Sequence, residues 1–271
     1  MKGKTVLVTG GTDGIGKATA VQLVRLGARV IVHGRSARRL QDTAAEIHAL
    51  TGSQVETIKA DFSSLAEVRA CGAEVITRFP RIDVLLHNAG IFMKDRVITA
   101  DGYETTFAVN HLAPFLLTHL LTGLLRNSTP SRIVTVSSMT HVNSRCDFDN
   151  LQGEKKYDGR DAYSLSKLAN VLFTVDLAER LRDSGITATC LHPGVVATKL
   201  LREGFGRMSA ASTDQGAETS VYLASSREVE GITGKYFVNK HEAEPSSLVH
   251  DPGVRAQLWR LSEQYTVIAP S

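Results

Sequence analysis

At 271 residues, with 42% hydrophobic and 22% charged residues, the chain fits one large soluble domain, or at most two, with an ample core. A formal net charge of +3, with the basic residues spread along the length, is too mild to mark a nucleic-acid surface. Three separated cysteines without a Cys-x-x-Cys, and nine histidines without a His-Glu-x-x-His pair, argue for a reducing compartment and against a disulfide framework or a metal site.

Met1-Lys-Gly-Lys-Thr5 enters a strand at once, so the expectation is a cytoplasmic protein with no signal peptide and no integral membrane segment. Thr5–Val8 is a short apolar run, followed by Thr9-Gly10-Gly11-Thr12-Asp13-Gly14-Ile15-Gly16 and a helical pattern through Leu26. Ala28–His33 predicts a strand and Ser36–Leu50 a helix. Gln54–Ala60 and Ile82–His87 read as strands on either side of a helix over Leu65–Phe79. A long helical region runs from Asp101 to about Asn127. Strand Arg132–Ser137, helix 161–184, strand Ile186–His192, helix Thr213–Ala224 and strand Lys235–Val238 complete the alternation. Nearly unbroken apolar strands alternating with helices predict a parallel sheet covered on both faces, a single doubly wound α/β domain over residues 1–271. Residues 241–271 form a C-terminal extension, whose His250-to-Tyr265 stretch is expected to cover the sheet or an oligomer contact.

The first βα turn packs Gly10, Gly14 and Gly16 between a strand and a helix, where small residues let amides and a helix N-terminus approach a pyrophosphate. Its Gly-x-x-x-Gly-x-Gly spacing differs from the usual Gly-x-Gly-x-x-Gly. An enzyme selective for NAD carries a carboxylate about 20 residues further on. Here that place holds His33-Gly34-Arg35, with Arg38 and Arg39 close behind. The arginines point to a 2′-phosphate, hence NADP(H) over NAD(H); the competing reading is a solvated basic face.

Apolar residues at Leu165, Leu168, Leu172, Val175, Ala178 and Leu181 keep one helical stripe towards a core, with Asp161 as the expected N-cap and Gly185 past the end. Tyr163 and Lys167 then sit one turn apart. A free tyrosine has a pKa of about 10, and a fixed ammonium beside it favours the phenolate. Tyr236 and Lys240 share this spacing but fall on a strand, where they point apart. Pro114 lacks the amide that would bond the carbonyl of Asn110, which frees that carbonyl for a water.

Together, Thr9-Gly-Gly-Thr-Asp-Gly-Ile-Gly16, Asp61, Asn88-Ala89-Gly90, Asn110, Ser138, Tyr163-x-x-x-Lys167 and Pro193-Gly194 resemble the short-chain dehydrogenase/reductase family, in its order and over nearly the whole chain. Asn150-Leu-Gln-Gly-Glu-Lys and Ser166-Lys-Leu-Ala-Asn170 resemble its retinol-dehydrogenase-like branch. The resemblance implies a catalytic set of Asn110, Ser138, Tyr163 and Lys167, with Ser137 as the near rival of Ser138. It implies that Gly10, Thr12, Asp13, Gly14, Ile15, Gly16 and Arg35 meet the cofactor, with Asp61 and Phe62 at the adenine. Asn88, Ala89, Gly90, Tyr163, Lys167, Pro193, Gly194, Val196 and Thr198 would line the nicotinamide half. The implied substrate is a carbonyl or alcohol, expected to be a bulky, apolar retinoid-, steroid- or lipid-like molecule.

A lid over residues 195–212, with Leu200, Leu201, Phe205 and Met208, and a loop over 139–160, with Phe148 and Tyr157, are expected at the substrate entrance. A homodimer or homotetramer is compatible with the resemblance. The alternative is a nucleotide-sensing module without turnover on the same fold. A serine hydrolase is weaker, since Ser138 lacks a Gly-x-Ser-x-Gly elbow.

Overall fold

Alternation along the first two strands decides how the layers form. In β1 (Thr5–Val8) Leu7 faces one side of the sheet and Val6 and Val8 the other; in β2 (Arg29–Gly34) Ile31 and the pair Val30 and Val32 divide in the same way. Both sides are thus apolar and both need cover. The computed structural model describes residues 1–206 and 209–267 and supplies that cover with helices on each face.

The sheet has eight strands in the order β3-β2-β1-β4-β5-β6-β7-β8. The remaining strands are β3 (Glu56–Lys59), β4 (Val84–His87), β5 (Ser131–Val136), β6 (Ile186–His192), β7 (Lys235–Val238) and β8 (His241–Glu242). All pairings are parallel except that of β8 with β7. Helices α1 (Gly14–Arg25), α2 (Ala37–Thr51) and α8 (Thr213–Ser225) cover the face of Val6 and Val8. Helices α3 (Leu65–Arg78), α5 (Ala113–Arg126) and α6 (Gly159–Arg180) cover the face of Leu7. The connection reverses direction between β1 and β4, which opens a crevice at the carboxyl ends of the strands.

Several boundaries differ from expectation for local reasons. The long helix starts at α4 (Thr105–Phe107), not at Asp101, because Gly102 turns the chain at φ +88° and the Glu104 carboxylate caps the first amides. Asp101 instead accepts the Leu65 amide at 2.8 Å and so helps to cap α3. Between α4 and α5 the chain makes a π-turn over Ala108–Leu112. Within the run Thr105–Arg126 an 18-residue stretch has a mean hydropathy of 1.3, long and apolar enough to cross a membrane, and 78% of that stretch is buried inside the fold.

Helix α6 is capped by Asp158, whose carboxylate takes the amides of Arg160 and Asp161; Asp161 itself lies in the first turn. The C-terminal helix α9 (Pro252–Thr266) covers helices and not the sheet. Its Trp259 packs edge-on to Phe115 and stacks near Phe173, with the Arg180 guanidinium 4.0 Å above the indole.

Candidate active site

The carboxyl ends of β4, β5 and β6, with the start of α6, bring the four expected catalytic residues together. Tyr163 and Lys167 share a face of α6, and the Lys167 Nζ lies 5.5 Å from the centre of the Tyr163 ring. That ammonium donates to the Val136 carbonyl at 3.1 Å. A Cβ on Gly90 would stand 3.3 Å from Lys167 Nζ and 3.5 Å from Asn110 Oδ1, so the end of β4 closes the same pocket. Asn110 accepts the Ile91 amide at 2.8 Å and donates to the Ile91 carbonyl and to Ser166 Oγ. Ser166 passes its own hydroxyl hydrogen to the Tyr163 carbonyl at 2.7 Å.

The π-turn presents Asn110 in this orientation, and Pro114 still offers no amide to its carbonyl. The two rival serines are placed differently. Ser137 donates to the Lys167 carbonyl at 2.8 Å and acts as a strut between β5 and α6, whereas Ser138 lies beside the Tyr163 phenol.

Proton affinities differ from the expectation. Burial pushes the Tyr163 phenol well above its ordinary value, and the neighbouring Ser138 hydroxyl only partly opposes this. Burial also pulls Lys167 down to about 8. Desolvation therefore outweighs the ammonium, and the free protein keeps Tyr163 protonated.

Across the switch point lies the glycine-rich turn. Gly10 has φ +65°, and a Cβ there would stand 2.7 Å from Ala89 Cα; one on Gly16 would stand 2.3 Å from Asn88 Nδ2. Asn88 ties the turn down by donating to the carbonyls of Thr9 and Gly10. Asp13 caps α1 through the Gly14 amide and holds Arg39 at 2.7 Å. Arg38 reaches only Asp42, at 3.9 Å, while Arg35 stands exposed with no hydrogen bond or ion pair among the described residues. Thr12 packs over Gly34, and Asp61 turns its carboxylate onto the amide and hydroxyl of Ser63. Phe62 is buried, its ring stacked on His33 at 3.9 Å, so only its backbone is available to a ligand.

The family model for short chain dehydrogenases matches residues 4–207. The chain is 43% identical to retinol dehydrogenase 14 from Homo sapiens, over 97% of this chain and 86% of the relative. Among solved structures, an uncharacterised protein from Mycobacterium paratuberculosis superposes with a TM-score of 0.83 at 33% identity, over 100% of this chain and 96% of the other. A short chain dehydrogenase from Burkholderia cenocepacia in complex with NADP gives 0.71 at 29%, over 87% and 96%. The chain belongs to the short-chain dehydrogenase family.

In this short-chain dehydrogenase the segment after β6 wraps over the site. Pro193 and Gly194 leave the strand, and Val196 is buried and pairs with Ala211. Thr198 caps the short helix α7 (Lys199–Phe205) while its methyl packs towards Gly14. Phe205 meets the Tyr163 ring edge-on at 5.8 Å, and Phe92 closes the triangle at 6.0 and 6.2 Å. Leu200 and Leu201 belong to the same helix, and Met208 lies outside the described residues. In the loop over 139–160, Phe148 packs on the core, and Tyr157 donates to the Met93 carbonyl and to Glu104. This loop is therefore anchored beside the entrance.

Sequence reasoning missed three supports of this dehydrogenase's site. Thr9 Oγ1 bonds the Leu86 carbonyl and receives the amides of Asn88 and Ala89. His141 bridges the Ser138 carbonyl and the Ser246 amide from buried surroundings. His33 reaches the Gly10 amide. Only Thr9 carried a signal, since it opens the glycine motif; the histidines act through partners that only the fold brings near.

Proposed function

We propose that this protein is an NADP(H)-dependent oxidoreductase that moves a hydride between the nicotinamide and a carbonyl or alcohol substrate, with Tyr163 as general acid and base. The buried Lys167 ammonium carries this reading. It has three N–H donors, yet the Val136 carbonyl is its one hydrogen-bond acceptor among the described residues. A buried charge with donors to spare, beside a phenol and a carboxamide, is arranged for a ligand rich in hydroxyls.

The residues present fit a dinucleotide. Gly194 has φ +88° and nothing within 4 Å of where a Cβ would stand, so its backbone faces open space above β6. The turn from Gly10 to Gly16 would hold the pyrophosphate at the N-terminus of α1. Asp61 and the Phe62 backbone would meet the adenine. Asn88, Ala89, Gly90 and Lys167 would hold the nicotinamide ribose, with Pro193, Val196 and Thr198 beyond it. When bound, the nicotinamide supplies or accepts the hydride.

In the reducing direction Tyr163 gives its proton to the substrate oxygen, and Ser138 donates a hydrogen bond where negative charge develops. Burial suits Tyr163 to this task, because the proton stays on the phenol until an oxygen of growing charge asks for it. Lys167 stabilises the phenolate that remains. Asn110 and its water position lie on the route by which solvent replaces the proton.

Cofactor choice rests on β2. A side chain at Gly34 would place its Cβ 2.6 Å from Thr12 Cγ2, so the carboxylate of an NAD enzyme could stand there only if Thr12 moved aside. Arg35, which makes no hydrogen bond or ion pair among the described residues, stands ready to meet a 2′-phosphate. A charge-assisted bond is worth about 1.5–3 kcal/mol, or roughly 10- to 150-fold in affinity. NADP is therefore expected to bind more tightly than NAD, and Arg35→Ala to weaken NADP by about that factor while leaving NAD nearly unchanged. Titration of both cofactors against both proteins measures this, and tighter NAD binding by the wild type would overturn it.

Phe92, Met93, Leu200 and Phe205 favour a bulky apolar aldehyde, ketone or alcohol, a substrate in keeping with the similarity to retinol dehydrogenase 14. The deciding experiment follows NADPH consumption across a panel from small polar carbonyls to long apolar ones. Turnover confined to small polar members would refute the substrate class. Cofactor binding with no turnover anywhere would favour the nucleotide-sensing alternative.

A further inference from the structure

We propose that His33 is a positioning residue for the nucleotide-binding turn: its neutral ring ties the Gly10 amide to β3 and holds the turn in the shape a dinucleotide meets. The inference rests on the dinucleotide reading of that turn. His33 is the last residue but one of β2 and is 3% exposed. Its Nε2 lies 3.0 Å from the Ala60 carbonyl, which can only accept, so Nε2 carries the hydrogen. Nδ1 is then a bare acceptor, and the Gly10 amide points to it at 3.3 Å. The His33 carbonyl receives the neighbouring Gly11 amide at 2.9 Å. Two successive amides of the turn are thus held by one residue, one through its side chain and one through its backbone.

The ring is not free to leave this position. It stacks on Phe62 with planes 18° apart, and Phe62 follows directly on Asp61. His33 therefore couples the carboxyl ends of β1, β2 and β3, the three strands that border the adenosine half of the proposed site. Only the neutral ring can serve. Protonation would put a hydrogen on Nδ1 and set it against the Gly10 N–H, and burial holds the ring neutral even though Asp61 pulls the other way. Gly10, at φ +65° and packed against Ala89, has no side chain of its own to steady the turn. A hydrogen bond from the next strand supplies what a side chain would otherwise provide.

The ring nitrogens can be separated by substitution. His33→Asn puts an amide oxygen near the place of Nδ1 and keeps an acceptor for Gly10. His33→Gln reaches Ala60 with an N–H donor but offers Gly10 nothing. Dissociation constants for NADP and NAD are measured by titration, with the Michaelis constant for the cofactor and kcat at saturating cofactor alongside. One lost hydrogen bond corresponds to roughly 2- to 13-fold. The expected result is that Gln weakens both cofactors by about that factor and raises the Michaelis constant without changing kcat. Asn should stay within about twofold of wild type on the same scale.

Gln binding as tightly as wild type, or Asn weakening as much as Gln, would overturn the proposal and leave His33 a packing residue. If the Gln protein does not fold, a folded Asn protein with clearly impaired binding still overturns it, and one with wild-type binding supports it. Failure of the wild type to bind either cofactor is a separate result, which removes the dinucleotide reading itself.

Discussion

Tyr163→Phe is expected to cut turnover by about 10²- to 10⁴-fold while leaving cofactor affinity within about twofold, the range for loss of a general acid. The substitution removes one oxygen from a ring that Phe205 and Phe92 already hold on its apolar sides, so the fold has little to lose. The internal control is Tyr236→Phe. Tyr236 is buried in β7 and packs edge-on to His141, while Lys240 lies beyond the strand in an exposed turn at φ +67°. Equal spacing in sequence therefore places that pair on different structures, and turnover should hardly change. Steady-state kinetics of both variants on one good substrate decides the matter. Near-normal turnover by Tyr163→Phe would remove it from the chemistry.

A comparably large effect is expected from acid. His33, His111 and His192 are pulled down by burial to about 4, and His87 to about 3, from an ordinary value of 6.5. In the unfolded chain all four take up protons as the pH falls below about 6.5, whereas the folded protein resists until about 4. Their contribution is complete above the unfolded value and is lost as the pH falls through this window. Each group changes stability by about 1.4 kcal/mol per pH unit once the unfolded chain is protonated. Set against a total stability of about 5–15 kcal/mol, four such groups make stability fall steeply as the pH drops from about 6 towards 4. Urea midpoints at pH 7.5, 6 and 5 measure the slope, and a midpoint that stays constant over this range would contradict it.

The order of strands and helices was readable from the chain because each strand is a continuous apolar run and each helix shows a stripe. The glycine turn and the Tyr163–Lys167 pair stood out because their spacings are short and local, whereas Asn110 and Ser138, far apart in sequence, were singled out through the family resemblance. Four features were not readable, for a common reason. The exclusion of solvent that raises Tyr163 comes in part from Phe92 and Phe205, which are remote from it in sequence. Arg39 was counted among cations waiting for a phosphate, yet Asp13 already holds it from another helix. Phe62 was assigned to the cofactor, but His33 covers its ring. The C-terminal stretch was expected to cover the sheet or an oligomer contact, and its helix lies on α5 and α6, since its Trp259 finds Phe115 and Phe173 there. Burial and long-range pairing are properties of the folded molecule, and local spacing does not contain them.

The π-turn at Ala108–Leu112 makes residue number itself a constraint. A π-turn holds one residue more than an α-turn, so a one-residue deletion here would mend the helix into a regular one. The wide turn takes up the roughly 100° by which one extra residue would otherwise rotate the following helix, so mending it would leave both halves in place and remove the turn that presents Asn110. Both halves are fixed. Glu104 is fastened by Gln152, Tyr157 and the amides it caps, while Leu116, Leu117 and Leu121 are locked in the core. The extra residue acts like a tooth on a ratchet: it sets the heading of Asn110, and the stretch from Glu104 to Pro114 will accept an altered side chain more readily than an altered count.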